Sequence, residues 1–292
     1  MKPLAVHLAI VLFSSALAAG QPSLFKAEVR LVEIYAKVFD RHGQYMENLT
    51  KDHFEIRDNG ELCPIVSFEP VTTGFSCAIL MDKTGSILTT LPVLKNSIVR
   101  FIDESRGDDW IAVYEFNTSL RKSQDFTGDK SAAKRAVLRV TASGATALYD
   151  ALSQVLLDLS NRKGKKMIVT FTDGQDNSSY LSSEAVKRRA KSFGIPLYFV
   201  AQGEALREPQ LMKNLREMSQ ATSGSTYPVR APSEMAGVFD GISRDLHNSY
   251  LMTYVPPPIN DAGWRIIRLT AKGVKAARIS AREGYFPFPN ER

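Results

Sequence analysis

Cysteine and histidine are scarce, with two and four residues in a chain of 292. Cys63 and Cys77 have no histidines at matching spacing, which argues against a zinc site. Cys77 lies in an apolar run, where a thiol acts as a small hydrophobe, although an exported chain could oxidise the pair. His42, His53 and His247 are scattered, with neither metal-ligand nor triad spacing. There is no Gly-x-Ser-x-Gly elbow and no Walker-type loop, so serine hydrolysis and nucleotide chemistry lack their usual carriers. Charge of one sign is not concentrated either. The formal net charge is +6, and Lys and Arg cluster only briefly at 162–166 and 187–191. This pattern reads as solvated surface, including a solvated start to the strand at Lys166, rather than a nucleic-acid face. After the first twenty residues no stretch is apolar enough to cross a bilayer.

What is present divides by pattern. Residues 1–19 carry Lys2, an apolar Leu4–Phe13 stretch broken only by His7, and Ala16-Leu17-Ala18, the layout of a secretory signal. The chain is therefore expected to be secreted or periplasmic. Residues 20–71 read as β structure. Val32, Ile34, Ala36 and Val38 alternate with Glu33, Tyr35 and Lys37, and the apolar phase slips at Leu31-Val32 as at a bulge. Asp58-Asn59-Gly60 marks a hairpin.

Residues 72–246 alternate strand and helix. Helical stripes fall at Leu94, Ile98, Phe101 and Ile102, from Leu148 to Leu159, and from Met235 to Leu246. Strands are expected at Trp110–Phe116, Lys166–Thr172, Pro196–Ala201 and Ser225–Val229. Leu120–Phe126 follows too closely for a crossover and reads as an antiparallel edge. Residues 247–292 return to β, with strands at Tyr250–Val255, Trp264–Thr270 and Ala277–Arg282. Each flanking β piece is small for a core of its own. The expected fold is α/β: a doubly wound, mostly parallel sheet inserted in a small β-sandwich formed by the N- and C-terminal segments.

The chemistry gathers around one stretch. Cys77–Met81 is an unbroken apolar run, the mark of a buried parallel strand, and it leads into Asp82, Thr84 and Ser86. Ligands of open α/β sheets bind beyond the carboxyl ends of such strands. Asp173 ends another strand, and Thr146 stands just before a helix. Taken singly, Thr146 reads as a helix N-cap and Asp173 as a turn residue. Together the three loops offer two carboxylates and three hydroxyls, oxygen donors of the kind a hard cation prefers.

Asp82-x-Thr84-x-Ser86, Thr146 and Asp173 resemble the metal-ion-dependent adhesion site of the von Willebrand factor A domain. The wider chain looks like bacterial secreted proteins related to that domain. It shares Ala145–Ala151, Thr172–Asp176, Tyr250, Tyr254 and Pro256, and Gly284-Tyr285 with them. The resemblance implies a binding module rather than an enzyme. It implies Mg2+, or Mn2+ or Ca2+, held by Asp82, Thr84, Ser86, Thr146 and Asp173, and a protein partner presenting an acidic residue. Two departures stand out: Thr84 replaces the usual serine, and Lys83 adds a cation beside the site. Asp176 reads either as a support behind the metal ligands or as a surface residue, with the surface place preferred. Two rivals compete with this reading. One is an envelope scaffold without metal. The other is a phosphotransferase with Asp82 as nucleophile, since Asp82-Lys83-Thr84-Gly85-Ser86 also looks like the phosphorylation motif of P-type ATPases.

Overall fold

The alternating N-terminal pattern becomes β1 (Val32–Asp40) in the computed structural model, which describes residues 31–173, 175–259 and 261–287. The expected signal at 1–19 lies outside those residues, whereas Leu31, where the bulge is expected, is described and precedes β1. Next come β2 (Phe54–Asp58), β3 (Glu61–Cys63) and β4 (Ile65–Glu69). Asn59 and Gly60 have φ of 49° and 91°, the two positive values that a type I′ hairpin needs between β2 and β3.

The α/β layer follows: β5 (Phe75–Asp82), α1 (Leu91–Glu104), β6 (Trp110–Phe116), β7 (Leu120–Thr127), α2 (Lys130–Arg139) and α3 (Leu148–Ser160). It continues with β8 (Lys165–Thr172), α4 (Ser183–Phe193), β9 (Leu197–Ala201), α5 (Pro209–Gln220), β10 (Ser225–Pro228) and α6 (Met235–His247). The chain closes with β11 (Tyr250–Tyr254), β12 (Arg265–Ala271), β13 (Ala276–Ala281) and β14 (Gly284–Tyr285).

The central sheet runs β10-β9-β8-β5-β6-β7, all parallel except β7, which pairs antiparallel with β6 at the edge. β5 and β8 are buried along their whole lengths, as inner parallel strands are. Helices α1, α2 and α6 pack on one face and α3, α4 and α5 on the other. Strand order turns outward in opposite directions from β5 and β8, so the crevice between their carboxyl ends is the topological switch point.

The terminal strands form two further sheets, β13-β1-β11-β4 and β14-β12-β2-β3, around one apolar core. Asp58 is fully buried and joins them. It accepts from Tyr254 and Tyr285 hydroxyls at 2.9 Å each and from Arg265 Nε at 2.8 Å. Two of the shared sequence boxes, around Tyr254 and at Gly284-Tyr285, thus meet at one carboxylate.

The polar face of β1 corrects the reading of a solvated basic cluster. Tyr35 and Lys37 are buried because that face lies against the α/β layer. Lys37 Nζ pairs with Asp245 at 2.6 Å, and the Tyr45 hydroxyl donates to the same carboxylate at 2.6 Å. Lys166 Nζ reaches Glu33 at 2.8 Å, while Lys165 Nζ donates to the Pro70 carbonyl. Lys165 and Lys166 are both buried, and burial pulls the Lys165 ammonium down to about 8. These lysines are fasteners between layers, not surface charges. Cys63 and Cys77 are both free and sit in different cores.

Candidate functional site

Asp82 is the last residue of β5, and its side chain is wholly withdrawn from solvent. Oδ1 accepts from the Thr84 amide at 2.9 Å and the Thr84 hydroxyl at 2.7 Å. Oδ2 accepts from the Thr172 hydroxyl at 3.0 Å. Burial pushes the Asp82 carboxyl up to about 6, with the charge of Asp173 adding to the rise and the threonine bonds opposing it. Asp173 follows β8, is also buried, and accepts from the Gln175 amide at 3.2 Å. The structure therefore brings Asp82, Thr84 and Asp173 together at the switch point and adds Thr172, which the sequence reading passed over. Ser86 lies by its backbone in the 3-10 turn Gly85–Ile87. Its side chain lies outside what the structure describes.

Every bonded partner of the two carboxylates among the described residues is a neutral N–H or O–H. Lys83 does not compensate them by an ion pair. Its ammonium lies 3.9 Å from Glu115, which also faces Arg121 at 3.4 Å.

Thr146 is buried and is held by its backbone to the loop that follows Asp173, not used as a cap. Its amide donates to Asn177 Oδ1 at 3.0 Å, and its carbonyl accepts from the amides of Asn177 and Ser178 at 3.0 Å each. The N-cap of α3 is Ala147, which has no side-chain acceptor. Asp176 supplies one from across the crevice, accepting from the Tyr149 amide at 2.8 Å and from Ser179. Asp176 is thus half-buried and bonded, a support for the loops rather than a free surface residue. In return, Asp150 on α3 accepts from the amides of Tyr180 and Leu181 at 2.9 and 3.0 Å.

The first loop is tied in as well. The Lys83 carbonyl accepts from Ser143, and Asn117 bridges to Ser143 and Ala147. Gly144 has φ of 86°, and a Cβ there would stand 3.0 Å from Asn117 Nδ2, so the loop needs glycine at this point. The three oxygen-bearing loops are one bonded unit. In the loops that follow Asp173 and Ser86, Tyr180 is fully exposed and Leu88 is 61% exposed.

Chemically, the cluster offers two carboxylates and several hydroxyl oxygens held by hydrogen bonds. No group of three or more His, Cys, Asp or Glu side chains forms a metal cage among the described residues. The donor set is instead two acids supplemented by hydroxyls, which suits a hard cation keeping some water or exogenous ligand. It is poorly arranged for Asp82 as a nucleophile, because both its oxygens are engaged and neither reaches solvent.

Residues 77–175 match the family model for the von Willebrand factor type A domain. Among solved structures, the fold is similar to conserved hypothetical protein BatB from Bacteroides thetaiotaomicron. That match has 18% identity and a TM-score of 0.50, over 59% of this chain and 98% of that one. A von Willebrand factor type A protein from Catenulispora acidiphila matches at 16% identity and a TM-score of 0.52, over 90% of this chain and 74% of its own. The vWF domain of the type V pili tip protein Mfa5 from Porphyromonas gingivalis matches at 13% identity and a TM-score of 0.50, over 59% and 95%. Identities this low speak to the fold alone. No curated protein matches the sequence.

Proposed function

From the premise that this chain carries a von Willebrand factor type A domain, we propose that it is an exported, non-catalytic module that binds a partner protein through a divalent cation. One observation carries the reading. Asp82 and Asp173 are two buried carboxylates, the charge of Asp173 lies close enough to raise the Asp82 carboxyl, and their bonded partners are all neutral. Buried charge without a counter-charge is costly, and a cation is the usual remedy.

Asp82, Thr84, Ser86, Thr146 and Asp173 would hold Mg2+, or Mn2+ or Ca2+ in its place. The ion supplies a positive centre with a coordination position left for a carboxylate from the partner. The chain's own part is to hold the donors still. Asp176, Asn177 and Asp150 lock the loops to α3, and the bonds from Thr84 and Thr172 fix the Asp82 carboxylate. Leu88 and Tyr180 offer apolar contact around the site. Export rests on the N-terminal pattern. Among the described residues no helix is long and apolar enough to span a membrane.

The scaffold alternative draws on the same hydrogen bonds, since Thr84 and Thr172 already satisfy Asp82 without an ion. Thermal melting separates the two. Millimolar Mg2+ should raise the melting temperature of the chain, and Asp173→Ala should remove that rise without unfolding the protein. A melting curve indifferent to Mg2+ and Mn2+ would favour the scaffold.

A further inference from the structure

A cavity of about 310 Å³ opens beside the acidic cluster. Thr90, Gln202, Gly203, Arg207 and Arg230 form its polar wall, and Val93, Leu206, Val229 and Met235 give it an apolar side. It borders the metal-type site directly. Gly203 has φ of 56°, and a Cβ built on it would stand 3.3 Å from the Asp173 Cβ, so Asp173 and Gly203 back onto each other. Two features point to an anion. Arg207 and Arg230 are the charged residues in the lining. Gln202 is 5% exposed, and its Nε2 has no hydrogen-bond partner among the described residues. A buried donor left unmet is destabilising, and of the six unmet buried polar side-chain atoms among the described residues Gln202 Nε2 is the one whose residue lines this cavity.

The nearby acids do not fill this role. Glu204 lies 3.5 Å from Arg207, but the Arg207 side chain is 78% exposed, and a surface pair of this kind is weak and easily exchanged. Glu234 is occupied in accepting from the Arg230 amide. Neither glutamate lines the cavity. The start of α1 at Thr90 and Val93 and the start of α6 at Met235 add the positive ends of two helix dipoles.

We propose that this cavity seats a second carboxylate of the partner, so that the ligand is an acidic segment engaging the protein at two points. One acidic side chain addresses the cation site. The other lays its methylenes against Val93, Leu206 and Met235 and sets its carboxylate between Arg207 and Arg230, with the Gln202 amide turning to donate. The mixed wall favours a carboxylate on an aliphatic stem over a bare inorganic anion. This inference rests on the binding function proposed above, and the test separates the two.

The probe is a dye-labelled peptide of alternating glutamate and glycine, with its glutamine counterpart as control. Anisotropy is read on the full chain in Mg2+ and again in chelator. The glutamate peptide should bind and the glutamine peptide should not. Arg207→Gln with Arg230→Gln should weaken binding about tenfold, the scale of charge-assisted bonds lost. The same loss should persist in chelator. Arg57→Gln with Arg268→Gln removes equal charge from exposed β2 and β12 positions, and should cost less than about twofold. Melting curves confirm that both pairs fold. Loss in the cavity pair with no effect of chelator or Asp173→Ala would establish the carboxylate seat and sink the cation reading. Loss in Asp173→Ala alone would leave the cation reading and overturn the cavity. Equal losses in both arginine pairs, or no binding of the glutamate peptide, would also overturn it.

Discussion

Asp82 is the residue on which sequence and structure agree in place and differ in state. Its position after an apolar run made it visible, since a strand ending in an acid projects that acid from the sheet edge. That its oxygens are taken by Thr84 and Thr172 was not visible, because Thr172 reads as one more β-branched strand residue. Burial gives the carboxyl a folded value of about 6 against an ordinary 3.8. The folded state thus holds this proton more tightly than the unfolded chain does. Stability from this group falls as pH climbs through that window, and the cost is complete above it, on the order of 3 kcal/mol. Asp82→Asn can keep Thr84 as donor and offer its amide to Thr172. In chelator, urea denaturation should show the variant more stable than the parent at neutral pH, with the difference fading toward pH 4. A variant less stable at neutral pH would mean the carboxylate is not penalised by its surroundings.

At the scale of elements, the strongly periodic helices were legible and the polar ones were not. α1, α3 and α6 each bury a broad apolar stripe. α2 buries only Ala133, Ala136 and Val137, and α4 only Val186, Ala190 and Ser192, too few to stand out from the charges around them. α5 opens on Pro209 and buries Met212, Leu215, Met218 and Ser219, a pattern broken by charged neighbours. The start of α3 shows why a local reading of Thr146 failed. A cap from within the segment was expected, but the cap comes from Asp176 in a loop 27 residues further on. Sequence spacing cannot display such a contact. Asp176→Ala should cost about 1 kcal/mol, the usual price of a lost cap, and should loosen the 176–181 loop to hydrogen exchange. An unchanged midpoint and unchanged exchange would show that α3 does not depend on it.

For the whole molecule, the decisive relation is between the two β segments and the α/β layer. Alternation in β1 was read correctly, and the smallness of each flanking piece argued that they pack together, as the shared core around Ile34, Ile56 and Tyr254 shows. What alternation could not reveal is that the polar face of β1 would be covered too, through Lys37–Asp245 and Lys166–Glu33. Lysines in such places look like surface until the partner layer is known. These ties leave the carboxyl ends of β5 and β8 free at the switch point, where the acidic cluster lies. The proposal that this cluster takes a divalent ion is the one on which the rest depends. Crystals grown with Mn2+ and measured at its absorption edge test it directly. An anomalous peak is expected within ligand distance of Asp82 or Asp173 and of at least one hydroxyl among Thr84, Ser86 and Thr146. A well-ordered cluster with no peak there, in crystals soaked to saturation, would contradict it.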